Sequence, residues 1–98
     1  MSLEQGVMAA RLCGLNLVAQ ITDAAAGDLS LIKKIQRVTG YVRCARDFEE
    51  IPQVINGCSE LLIEIFGPEV GAHTRTSIGV FALPRQFAVE CDAIVELI

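Results

Sequence analysis

Arg75 and Glu90 are the two side chains here whose types best suit chemistry on a small acid. Each stands near the start of a C-terminal segment made otherwise of small or apolar residues. In a partly desolvated cleft, a guanidinium binds a carboxylate through two parallel hydrogen bonds. A nearby glutamate can orient or deprotonate a water. The same pair also fits an ordinary surface arginine and a solvated strand acid, and periodicity alone leaves both readings open. Asn56-Gly57 is the next feature, because it falls inside a helical pattern that neither residue favours, each costing roughly 0.5–1 kcal/mol relative to alanine. Such a conflict marks either an amide that meets a ligand or a glycine that makes room for close packing.

His73 could act as an acid or base, but a lone histidine just ahead of a strand reads first as a surface residue. Ser77 shares the face of Arg75, two residues on, with no histidine and acid pattern to mark it as a nucleophile. Cys13, Cys44, Cys58 and Cys91 form no CxxC pair, and one histidine cannot complete a zinc set. Each thiol sits in an apolar pattern, as core-filling cysteines do, which suggests a reduced, cytoplasmic protein. Residues 29–46 carry Lys33, Lys34, Arg37, Arg43 and Arg46 with no acid among them. That strip could touch RNA phosphates, yet Tyr41 alone is no stacking platform, and a solvated turn and strand explains it better. No glycine-rich phosphate loop is present.

These residues must be held by an α-β-α-β-β order. Ser2 and Gln5 make a capping box for a helix running to about residue 26. Its stripe is Leu3, Val7, Ala10, Gly14, Leu17, Ile21 and Ala24, with Gly27 as the stop. From Ile35 to Cys44 the period becomes two, placing Val38, Gly40, Val42 and Cys44 on one strand face. Asp47 and Glu50 offer a second capping box, and Pro52 suits a first turn. The helix that follows should bury Val54, Cys58, Leu61, Leu62, Ile65 and Phe66 and end at Gly67-Pro68. Two further strands carry Arg75 to Ala82 and Phe87 to Ile98, joined through Leu83-Pro84-Arg85-Gln86. The expected architecture is one α+β domain over residues 1–98, with both helices on one face of a small mixed sheet.

A chain of 98 residues holds one core. A net charge of −4 argues against a general nucleic-acid binder, and 52% hydrophobic content excludes disorder. So much apolar surface in so small a domain predicts cover by another subunit. No apolar run reaches the ~20 residues of a membrane span, and the acidic start does not read as a signal peptide.

Several segments, kept in order and spacing, carry a family resemblance. They are Thr39-Gly40-Tyr41-Val42, Asp47-Phe48, Val54-Ile55-Asn56-Gly57, Arg75-Thr76-Ser77-Ile78-Gly79-Val80, Leu83-Pro84 and Val89-Glu90. Together they resemble the Rid/YjgF family, the reactive intermediate deaminases, also called L-PSP endoribonucleases. The first helix, with Ala9-Ala10-Arg11-Leu12-Cys13 and Leu15-Asn16, resembles one branch of that family.

The resemblance implies a chorismate-mutase-like fold, a homotrimer and clefts between subunits. Active members hydrolyse enamines and imines derived from amino acids, releasing ammonia without metal or organic cofactor. Carried over residue by residue, Arg75 would hold the substrate carboxylate, Glu90 would attend the hydrolytic water, and Asn56 would line the site. Four departures stand out. Typical members have strands ahead of the first helix that bring a tyrosine and a serine, so the expectation is an N-terminally short domain. His73-Thr74 replaces the common Pro-Ala, and Ser77 stands where active deaminases often have cysteine. The stretch from Asp47 to Asn56 is longer than usual. The function expected is binding of a small carboxylate-bearing metabolite, with imine hydrolysis as its chemistry. A non-catalytic binding or assembly role is the alternative, and ribonuclease action a further one.

Overall fold

A computed structural model describes residues 2–98. Its elements follow the expected order: helix α1 (Leu3–Ala24), strand β1 (Ile32–Arg43), helix α2 (Ile51–Val70), strand β2 (Thr74–Val80) and strand β3 (Val89–Leu97). The sheet order is β2-β1-β3. β1 pairs parallel with β2, with α2 as the crossover, and antiparallel with β3. Both helices cover one face, which makes the fold the expected two-layer α+β arrangement.

Local chemistry explains the boundaries. The Ser2 side chain accepts from the Gln5 amide while the Gln5 side chain accepts from the Ser2 amide, completing the capping box of α1. The helix stops where Ala26 and Gly27 take positive φ, at 54° and 84°, and the Gly27 amide bonds back to Thr22. The second capping box does not form: α2 begins at Ile51, and its N-cap Glu50 makes no side-chain cap bond. Pro52 decides this. A helix starting at Asp47 would bury that proline in its interior, where the ring clashes with a carbonyl one turn back. At the other end the regular helix breaks at Gly67 (φ 85°) before Pro68, as expected, and one more turn follows to Val70.

The core lies between the layers, around Ile35, Val38, Val42, Val54, Ile55, Cys58 and Leu62. Small residues let the layers meet. A Cβ on Gly57 would stand 2.2 Å from the Val7 carbonyl oxygen, and one on Gly40 would stand 2.4 Å from the Ile55 side chain. α1 therefore crosses α2 at Gly57, and α2 lays Ile55 across β1 at Gly40. Two expected core positions differ. Ala24 is exposed while Ala25 is buried, because the stripe drifts by one residue over six turns; Ile65 is exposed, while its neighbours Leu62 and Phe66 take the core side of α2.

Candidate functional site

Arg75 is placed by register. It pairs with the buried Val38 of β1, so its side chain rises from β2 on the helix-covered face. There it meets one stripe of α2, formed by Pro52, Asn56 and Ser59 at spacings of four and three. Arg75 Nη1 donates to Asn56 Oδ1 at 2.7 Å and to Ser59 Oγ at 3.2 Å, and Nη2 donates to the Pro52 carbonyl at 3.4 Å. A guanidinium has five donors. Three are used, and the two that remain belong to the adjacent nitrogens Nε and Nη2, the pair that can receive a carboxylate side by side. The half-buried side chain is thus fixed in direction with an unspent edge.

Asn56 and Gly57 divide the two roles their sequence suggests. Gly57 packs against α1, while Asn56, one residue earlier, turns its amide oxygen to Arg75. Ser59, buried at 8% exposure, escaped notice in the sequence although it repeats Asn56 one turn on and interrupts an apolar face. His73 is not the free surface residue its position suggested. Its Nε2 lies 2.9 Å from Ser59 Oγ and its Nδ1 lies 2.7 Å from the Gly71 carbonyl oxygen. Ser77 shares the Arg75 face, as expected, and its Oγ is buried without a hydrogen-bond partner.

Glu90 lies elsewhere. β1 separates β2 from β3, and Glu90 pairs with Tyr41 rather than with Val38 or Gly40, so it occupies the opposite, open face at the other end of the sheet order. Within one chain it does not meet Arg75. It borders a depression of about 320 Å³ with Cys13, Asn16 and Phe87. A second depression, of about 550 Å³, sits beside Arg43, Asp47, Phe48 and Phe81, and Arg75 is not among the residues lining it.

Neighbouring groups tune several side chains. Tyr41 donates to Asp92 Oδ2 at 3.1 Å, and that bond, with the carboxylate charge, raises the phenol above its ordinary range. Cys91 is pushed up by thiol contacts with Cys13 and Cys58 and then by burial, while Cys13 and Cys58 are drawn down by their bonds to Cys91. All four cysteines are free, and Cys58 belongs to the core. Much of the basic strip is engaged locally. Lys33 faces Glu96 at 3.7 Å, Lys34 donates to the Glu69 carbonyl at 2.7 Å, and Arg37 donates to Thr76.

The two-layer fold, with an arginine of one strand braced on an asparagine of the crossover helix, defines a class of protein. The family described as "YjgF/chorismate mutase-like, putative endoribonuclease" matches residues 1–91, and the chain belongs to it. Among relatives, Protein TCP17 of Trypanosoma cruzi is 42% identical over 97 residues, covering 99% of this chain and 60% of that protein. Two crystal structures are similar. The protein Atu1372 of Agrobacterium tumefaciens, whose function is unknown, superposes with a TM-score of 0.96 at 38% identity, covering 99% of this chain and 61% of that one. A "putative endoribonuclease" of Shewanella oneidensis superposes at 0.92 with 34% identity, covering 99% and 63%. This chain therefore spans about three-fifths of the length of the relatives it matches.

Proposed function

We propose that this chain supplies the carboxylate-binding part of a small-metabolite site, and that the site hydrolyses reactive enamines or imines to 2-keto acids. The observation that carries this reading is the braced guanidinium of Arg75, with adjacent Nε and Nη2 donors left over. Asn56 serves the site by fixing that edge. The reaction needs no metal or organic cofactor. Water adds to the imine carbon, the carbon–nitrogen bond breaks, and nitrogen leaves as ammonia while the carbon becomes a carbonyl. Glu90 is proposed to position that water, and it can reach Arg75 only from a second copy, because β1 stands between them in one chain. A homotrimer with clefts between copies is the assembly proposed. A cytoplasmic setting is proposed on the four unpaired thiols. Among the described residues, no helix is long and apolar enough to cross a membrane.

The experiment is ammonia release from freshly generated 2-iminobutyrate. Wild-type protein should exceed the buffer rate, and Arg75→Ala should fall back to it. Equal rates for wild-type protein and buffer remove the hydrolytic reading. The separation of Glu90 from Arg75 favours a second reading, in which the family member binds a carboxylate without turnover. Ribonuclease action receives less support. The basic strip is partly paired off, and Glu90, Asp92 and Glu96 of β3 lie alongside it.

A further inference from the structure

Arg75 is held by more than its direct contacts. Its bond to Ser59 is one link of a chain that runs on to His73 and ends at a backbone carbonyl. The direction of each link follows from what its atoms can do. The Gly71 carbonyl oxygen only accepts, so His73 Nδ1 carries a proton and donates to it. In the neutral ring Nε2 is then an acceptor. Arg75 Nη1 only donates, so Ser59 Oγ offers it a lone pair. That leaves the Ser59 proton free to go to His73 Nε2, 2.9 Å away. Each of the three links in the run Arg75–Ser59–His73–Gly71 then pairs one donor with one acceptor.

We propose that His73, acting through Ser59, is a positioning residue for Arg75: the Nδ1-protonated ring turns the Ser59 hydroxyl away and keeps its lone pair on Nη1. The proposal rests on Arg75 being the carboxylate anchor. Without the relay, the serine hydroxyl is free to rotate, one of the two tethers on Nη1 loosens, and the Nε–Nη2 edge loses its fixed direction. Pre-organisation of this kind acts on ligand affinity.

His73 is the only histidine of the chain, so its ring nitrogens can be read without ambiguity by nitrogen NMR of the full protein near neutral pH. The expected spectrum is that of a neutral, Nδ1-protonated ring. In Ser59→Ala the Nε2 resonance should move, because its hydrogen bond is gone. An Nε2-protonated ring, or an Nε2 signal indifferent to Ser59→Ala, overturns the relay. Binding of 2-oxobutyrate supplies the second readout. Ser59→Ala and His73→Leu should each weaken it roughly tenfold, and the double variant should be no weaker than either alone. His73→Gln, which keeps an acceptor within reach of Ser59, should restore most of the affinity. Additive losses, or His73→Leu binding as wild type does, would show that His73 does not act through Ser59. If wild-type protein binds no carboxylate, the anchoring role of Arg75 fails, and the ring spectrum with its response to Ser59→Ala still decides the relay.

Discussion

At Arg75, Asn56 and Glu90, residue type was legible in the sequence and neighbourhood was not. Arginine beside small and apolar residues, and an asparagine in a helical pattern, were visible features, and the fold brings those two together at 2.7 Å. Glu90 looked equally close because β2 and β3 are consecutive in the chain. Their separation by β1 is a property of strand order, which one-dimensional spacing does not carry. His73 and Ser59 lie 14 residues apart, and only the fold of α2 back toward β2 makes them partners. Tyr41 offers a test of electrostatics at this scale, being the only tyrosine. Its bond to Asp92 raises the folded-state value, so this contribution to stability is complete below the ordinary tyrosine range of about 10 and is lost as pH rises through the folded value. Ultraviolet titration should show phenolate forming above the ordinary range in wild type and closer to it in Asp92→Asn. Coincident titrations would mean that the hydrogen bond does not persist in solution.

At the scale of elements, hydrophobic period and capping chemistry predicted all five helices and strands in order. The misses have local causes. Pro52, already noted as a first-turn residue, outweighed the Asp47/Glu50 pattern, since a proline cannot sit five residues into a helix without losing a bond. β2 carries its polar and small residues, Arg75, Ser77 and Gly79, toward the helices and leaves Ile78 on the open face, the reverse of a simple amphipathic strand. Edge position allows this, because α2 meets β2 through the Pro52 carbonyl, Asn56 and Ser59 at Arg75 and through Ile51 at Gly79. Gly57 tests the close crossing that sets this geometry. Gly57→Ala places a methyl against the Val7 carbonyl, and neither helix backbone can yield cheaply. A loss of about 1–3 kcal/mol in chemical denaturation is expected, despite alanine's better helix propensity. Unchanged or increased stability would show that the helices do not pass so closely.

For the whole molecule, the sheet has one covered and one open face. Ile78 and Ile94 stand on the open side, the latter 62% exposed, and Phe81 beyond β2 is 97% exposed. That distribution matches the apolar surplus in the composition, which a single small core cannot absorb. A second copy meeting this region would both cover it and give Glu90 a route to another chain's Arg75. A cleft assembled in that way still depends on its anchor. Isothermal titration of 2-oxobutyrate into wild-type protein and Arg75→Ala tests that anchor most directly. Saturable binding by wild type is expected, weakened roughly a hundredfold in Arg75→Ala through loss of a charge-assisted pair of hydrogen bonds. Equal binding by the two proteins, or none by wild type, would contradict it.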